Sequence, residues 1–370
     1  MIYFDNASTT RPCCEAVAAV TGALNDNFGN PSSLHRLGVE AEKAVSAARK
    51  VISSALFCEE DNVYFTSGAT ESNNLAVTGT AESYGKRKKR VVIGGGEHPS
   101  VAAPAQRLEK LGFEVVRVSP ERLSEAVDEN TCLVSCMLVN NETGMIFPVE
   151  KEFAAIKRKH PEIVTHCDAV QAFLKIPFKV KALNADIVSV SGHKVYGPKG
   201  IGAVYIKKGI RPSPLIVGGG QERAVRSGTE SVPLISGFGA AAKRYMGDIP
   251  KRFEYVSGLK KHLVDALSSA SDTVVISPDN SSPYIVSVAV LGYKSEIMLH
   301  FLEDKGIYVS SGSACSKGKK SSVLKELGAD EKLLDFILRI SFSHENTTDE
   351  IDSFISALKM GQSELLKIKY

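Results

Sequence analysis

Apolar residues in the first two thirds of the chain follow two patterns in alternation. Short β-branched runs predict buried strands at Asn62–Thr66, Arg90–Ile93, Phe113–Val118, Thr131–Met137, Ile163–Cys167, Asp186–Val190 and Gly202–Ile206. Between most of them the apolar positions fall three and four apart. The clearest case is Leu37–Leu56, where Ala41, Ala44, Val45, Ala48, Ile52 and Leu56 share one face and predict an amphipathic helix packed on the sheet. This alternation up to about residue 245 is the pattern of an α/β unit with a mainly parallel, seven-stranded sheet.

From about residue 250 the texture changes to a long charged helix, strands at Thr273–Ile276 and Tyr284–Val290, a helix near Ser295–Asp304 and a final helix. In the last of these Ile351, Phe354, Ile355 and Leu358 form a stripe, and Thr347 with Glu350 has capping-box spacing. A second, smaller α+β domain is expected there.

With 370 residues, 43% of them hydrophobic, two domains can each bury a core. Lys plus Arg exceeds Asp plus Glu by only three (45 against 42), which gives no reason to expect nucleic acid as a partner. The one basic run, Lys86–Arg90, leads into a strand and reads as a solvated connection. No signal-peptide pattern opens the chain and no window approaches a membrane span, so a soluble, unprocessed protein is expected. The seven cysteines are scattered, without a CxxC pair or zinc spacing, which points to a reduced, cytoplasmic setting and no metal.

Candidate chemistry begins with Ser191–Gly200, where Lys194 follows an apolar strand among small residues. Gly192 and Gly197 have the first spacing of a P-loop, but Pro198-Lys199-Gly200 follows where Lys-Ser/Thr is required. Gly94-Gly95-Gly96 likewise lacks the third glycine of a dinucleotide fingerprint. Asp168 ends another predicted strand. A lysine that can form a Schiff base and a carboxylate that can hold a pyridinium nitrogen are the two groups pyridoxal phosphate requires. Thr66–Asn73, which follows a strand and opens a helix, reads either as an anion cradle or as an ordinary capped helix. Taken alone, His98 reads as a structural polar residue, Arg339 as a salt-bridged strand residue, and Cys132 and Cys136 as core. A metal site at His166-Cys167-Asp168 is disfavoured, because strand alternation turns Cys167 away from its neighbours. Cys315 sits in a small, polar segment beside Lys317, Lys319 and Lys320, a setting that lowers a thiol pKa. Cys13, Cys14 and Cys58 carry no functional signal.

Together, Asp168–Gln171, Ser191–Lys194 with Tyr196–Gly200, and Thr66–Asn73 resemble the cysteine desulfurases, in the class V aminotransferase group of fold-type-I pyridoxal phosphate enzymes. The likeness continues in Asp5–Thr10, Phe28–His35, Asn140–Gly144, Gly218–Arg223, Arg226–Thr229 and Ser310–Cys315. It implies a large cofactor domain over 13–248 and a small domain from 1–12 and 249–370, carrying a mobile cysteine loop at about 310–321. Lys194 would be the Schiff-base lysine, Asp168 would hold the ring nitrogen, Gln171 the ring hydroxyl, and His98 would stack on the ring. Ala69, Thr70, Ser191 and His193 would hold the phosphate, with Thr229 reaching across from the neighbouring subunit of a homodimer. Asn141, which would also touch the cofactor, and Arg339 would bind the carboxylate of L-cysteine, the arginine through its planar fork, and Lys194 assisted by His98 would move the α-proton. Cys315 would accept the sulfur as a persulfide and pass it to an acceptor protein or pathway, an iron–sulfur scaffold or a tRNA- or cofactor-thiolation protein. The segment after Cys315 is shorter and more basic than is usual in the group, so Lys317, Lys319 and Lys320 are expected both to activate the thiol and to attract an acidic acceptor. The rival readings are a selenocysteine lyase or another enzyme of the group in which Cys315 is incidental, and a scaffold without turnover.

Overall fold

A computed structural model describes residues 1–86, 88–311 and 322–368. Its strands are β1 (Ile2–Tyr3), β2 (Val63–Thr66), β3 (Arg90–Gly94), β4 (Glu114–Val118), β5 (Thr131–Ser135), β6 (Val164–Asp168), β7 (Ile187–Ser191), β8 (Gly202–Ile206), β9 (Thr273–Val275), β10 (Ile285–Val290), β11 (Ile307–Tyr308), β12 (Ser310–Ser311) and β13 (Ile337–Ser341). The described residues divide into two compact units.

The unit formed by Arg11–Leu138 and Phe147–Ile249 holds a seven-stranded sheet in the order β2-β8-β7-β6-β5-β3-β4. Strands β7, β6, β5, β3 and β4 are mutually parallel, and β8 runs antiparallel to both β7 and β2. Burial on both faces explains the continuous apolar runs: β5, β6, β7 and β8 are buried at every position. The helix at Arg36–Leu56 buries Ala41, Val45, Ala48, Ile52 and Leu56, while Ala44 stays half-exposed. It packs chiefly on the helix Val232–Tyr245 rather than on the sheet. Small residues allow this: a Cβ on Gly239 would lie 2.7 Å from the Cβ of Ala48.

The other unit is formed by Met1–Thr10, Val139–Ile146 and Pro250–Tyr370. The short segment Val139–Ile146 therefore groups with the smaller unit, although the sequence places it inside an uninterrupted 13–248 stretch. Its cause is backbone pairing: Ser282 N–H donates to Gly144 O at 2.7 Å, and Met145 bridges Ser281. The sheet of this unit runs β12-β13-β10-β9, all antiparallel, and β1 pairs with β11 in parallel. Phe4, Phe342 and Phe354 meet edge to face in its core. The capping box at Thr347 and Glu350 opens the last helix, Thr348–Glu364. Among the described residues no helix is long and apolar enough to cross a membrane. Within the basic run, Lys88 pairs with Glu162, Arg90 pairs with Asp128, and Lys89 lies over the Phe113 ring.

Candidate active site

Strands β6 and β7 are parallel neighbours, with Asp168 opposite Ser189, so their C-terminal ends lie side by side. Ligands of open α/β sheets bind at such ends. Asp168 is the last residue of β6, and β7 passes through Ser191 into the one-turn 3-10 helix Gly192–Lys194. The loop folds back at once: Gly197 N–H donates to Gly192 O at 3.0 Å, and a Cβ on Gly197 would approach that oxygen to 2.9 Å. Tyr196 accepts a left-handed φ of 64° to make the turn. On the facing strand, a Cβ on Gly202 would meet Gly68 Cα and Val190 O at 2.8 Å each. Only glycine lets β8 lie against the start of the helix Ala69–Asn74.

Asp168 is almost fully buried and accepts two hydrogen bonds, from Val170 N–H at 2.9 Å and from Asn73 Nδ2 at 2.7 Å. The same Asn73 nitrogen donates to Ser100 Oγ at 2.8 Å. Ser100 Oγ in turn lies 2.8 Å from His98 Nδ1, which also accepts Ser100 N–H at 3.1 Å as the cap of the helix Pro99–Glu109. A backbone N–H can only donate, so Nδ1 is an acceptor and the neutral ring carries its proton on Nε2. Burial holds the His98 pKa below its ordinary value; Asp168 opposes this and Lys194 reinforces it. The arrangement thus supplies a fixed carboxylate, an amine and a neutral imidazole of defined tautomer.

Gln171 is buried beyond Asp168, and its Oε1 accepts from the buried Lys175 Nζ at 3.0 Å. Earlier on the same strands, on the face Asp168 shares, runs a second polar cluster: Ser135 Oγ donates to Glu97 Oε1 at 3.1 Å and lies 2.8 Å from His166 Nδ1, whose Nε2 lies 3.1 Å from Ser189 Oγ. Burial, then Asp168, raises the Glu97 pKa well above the carboxylate range. Burial alone pushes His166 down to about 3. The pKa of His193 is pushed down to about 4, by burial first and then by Lys194, Lys199 and Lys175.

Ser191 Oγ is buried and has no hydrogen-bond partner, which costs about 1–3 kcal/mol for a hydroxyl. Ala69 and Thr70 form the first turn of their helix, and Thr70 lines a groove with Asn74, His98, Ser100 and Arg107. Thr229 is exposed and lines a separate cleft with Ser67, Gly200 and Arg226. In the smaller unit, Arg339 of β13 is buried, donating to Asp5 Oδ1 at 3.0 Å, Ser8 Oγ at 2.5 Å and Asn141 O at 2.9 Å. Arg339 Nε and Asn141 Oδ1 are buried without a partner, a donor and an acceptor in one unit. Cys315, Lys317, Lys319 and Lys320 lie outside the described residues. Among the described residues no group of His, Cys, Asp and Glu is placed to hold a metal ion.

Sequence reasoning assigned no role to Asn73, Ser100, Lys175 or Glu97. One signal was available for Lys175, which interrupts the apolar run Ala172-Phe173-Leu174-Lys175-Ile176. The other three carry no signal of their own, and gain a role only when the fold brings Asn73 and Glu97 to Asp168 and Ser100 to Asn73.

The aminotransferase class-V family model matches residues 2–354. The chain belongs to this family, in its cysteine desulfurase group. It is 38% identical over 368 residues to the cysteine desulfurase IscS of Methanosarcina thermophila, covering 96% of this chain and 91% of that one. Among solved structures it is similar to a NifS-like protein at a TM-score of 0.93 and 35% identity, covering 98% of this chain and 100% of that one. A structure described as SspA in complex with cysteine matches at a TM-score of 0.82 and 30% identity, covering 94% of this chain and 100% of that one.

Members of the class V aminotransferase family, the cysteine desulfurases included, depend on pyridoxal phosphate. The residues of this chain fit that group. Asp168 offers a hydrogen-bonded carboxylate for a protonated pyridine nitrogen, and Lys194 an amine from the adjacent strand. The partnerless Ser191 hydroxyl suits a phosphate oxygen.

Proposed function

We propose that this chain is a cysteine desulfurase that converts L-cysteine to L-alanine and passes the sulfur, through a persulfide on Cys315, to an acceptor. The observation that carries this reading is the Asp168–Asn73–Ser100–His98 network at the end of β6, beside the strand that delivers Lys194. When bound, pyridoxal phosphate supplies an electron sink for the amino acid attached to it. The chain's own residues do the rest. Asp168 holds the ring nitrogen, Gln171 the ring oxygen, and Ala69, Thr70, Ser191 and His193 the phosphate. Asn141 and Arg339 take the substrate carboxylate. The Lys194 amine, assisted by His98, moves the proton from the substrate Cα. The Cys315 thiolate attacks the substrate sulfur; an S–S bond forms as the Cβ–S bond breaks. The balance is one cysteine and one enzyme thiol giving one alanine and one enzyme persulfide.

The reading includes a homodimer in which the partner copy contributes its Thr229 to the phosphate. The acceptor is an acidic protein surface drawn to Lys317, Lys319 and Lys320. The test is incubation of the pyridoxal phosphate-loaded protein with L-cysteine, scoring alanine and protein-bound persulfide. Wild type yields both, Lys194→Ala yields neither, and Cys315→Ser loses the persulfide. Alanine production with full persulfide in Cys315→Ser would sink the assignment of Cys315. Its absence from wild type would sink the activity itself.

A further inference from the structure

Lys175 is 4% exposed, a burial that lysine almost never tolerates without a specific partner. The backbone departs from regular helix to place it. Ala172 and Phe173 N–H both bond Ala169 O, Lys175 and Ile176 N–H both bond Ala172 O, and Leu174 takes a φ of 55°. A buried leucine in the left-handed region is strained, and such strain persists only where the surroundings over-determine it. The outcome of this turn is contact between the Lys175 ammonium and Gln171 Oε1 at 3.0 Å.

That contact has a direction. A glutamine amide has an acceptor end and a donor end, whereas an ammonium has donors only. With the ammonium on Oε1, the polarity of the Gln171 amide is set: its acceptor arm faces Lys175 and its donor arm is the other one. We propose that Lys175 is a positioning residue that fixes the polarity of the Gln171 amide, so that Nε2 donates to the ring oxygen of pyridoxal phosphate. This rests on the reading of Gln171 given under the proposed function. A donor on that oxygen stabilises its ionised form and lowers the pH at which the bound chromophore loses its proton. Without Lys175 the amide is free to turn its own oxygen toward the ring, where two acceptors repel.

The test is a pH titration of the visible absorption of the pyridoxal phosphate-loaded protein. It compares wild type, Lys175→Met, Lys175→Arg, Gln171→Ala and the double variant Lys175→Met/Gln171→Ala. Lys175→Met is expected to raise the midpoint of the colour change by about one pH unit, a tenfold change in the proton equilibrium. Lys175→Arg restores most of the shift, and Lys175→Met adds nothing in the Gln171→Ala background. Thermal unfolding of the cofactor-free variants is measured alongside. A purely structural lysine would change that melting temperature and leave the midpoint in place. The proposal is overturned if Gln171→Ala shifts the midpoint and Lys175→Met does not, or if the two shifts add in full. A midpoint untouched by Gln171→Ala overturns the reading of Gln171 itself, and the proposal with it.

Discussion

Replacing Glu222 by alanine should unlatch the segment that carries Arg226 and Thr229. Glu222, Arg223 and Ala224 all have left-handed φ values, 47°, 53° and 63°. Each non-glycine residue in that region costs about 1–2 kcal/mol, so the turn must be held from outside. Its hold is the buried Glu222 carboxylate, which takes both ends of the Arg49 fork at 2.8 Å each and Phe65 N–H at 2.9 Å. The Arg49 and Glu222 side chains are 12% and 2% exposed, so solvent screens the pair little. Removing the acid leaves a buried guanidinium that still donates to Val63 O. Breaking a buried pair from one side costs about 3–5 kcal/mol. If the segment opens locally, the global loss is capped and the damage appears as cleavage near 218–229. The assay is urea unfolding of the cofactor-free protein by circular dichroism, with limited proteolysis in parallel. Arg49→Met/Glu222→Ala should recover part of the loss, because the stranded charge is gone. A Glu222→Ala protein within about 1 kcal/mol of wild type and with no new cleavage site would refute the argument.

Three further outcomes are expected. His166 is held neutral to about pH 3 by burial but protonates near 6.5 once unfolded, so acid favours the unfolded chain. Stability should fall by about 2 kcal/mol from pH 7 to pH 5 on its account, a slope that His166→Asn removes in urea melts taken across that range. Glu97 has the opposite sign: its raised pKa keeps the folded acid protonated where the unfolded one ionises, so its contribution declines as pH rises above the ordinary carboxylate value. Glu97→Gln should therefore gain on wild type progressively from pH 5 to pH 8; a constant difference would show that Glu97 does not titrate on unfolding. In Gly202→Ala the new Cβ meets backbone at 2.8 Å, so a loss of about 1–3 kcal/mol and weaker pyridoxal phosphate binding, read by fluorescence titration, are expected.

The strands of the larger sheet were legible because short runs rich in β-branched and apolar residues fill its mostly buried positions, and each predicted run lies within about two residues of its observed ends. Lys194 and Asp168 were legible for a related reason. A polar residue that ends such a run is held at the sheet's C-terminal edge by topology, whatever its partners. The short strands β1, β11 and β12 were not, since two residues carry no period, whereas Arg339, read as a salt-bridged strand residue, lies in β13 paired with Asp5. The helix Arg36–Leu56 was recognised, but its partner was not, because alternation identifies an apolar face without saying what covers it.

The remainder of the site is invisible in sequence because its roles rest on which way each polar group faces. Asn73, Ser100 and Lys175 act through the direction of a hydrogen bond, which for Asn73 is set only when groups arrive from elsewhere in the chain, and for Ser100 and Lys175 by a local turn of backbone that apolar periodicity does not reveal. Asn73 and Asp168 are 95 residues apart, Asn73 and Ser100 are 27 apart. The sheet alone makes them neighbours. Ser100 fixes His98 Nδ1 as an acceptor from the next turn of backbone, and Lys175 fixes Gln171 across a strained leucine. Sequence alone could supply a histidine, an aspartate and a lysine in order along the chain. Which nitrogen of the histidine carries the proton, and which end of the glutamine faces outward, are properties of the folded network, and they decide what the three groups can do.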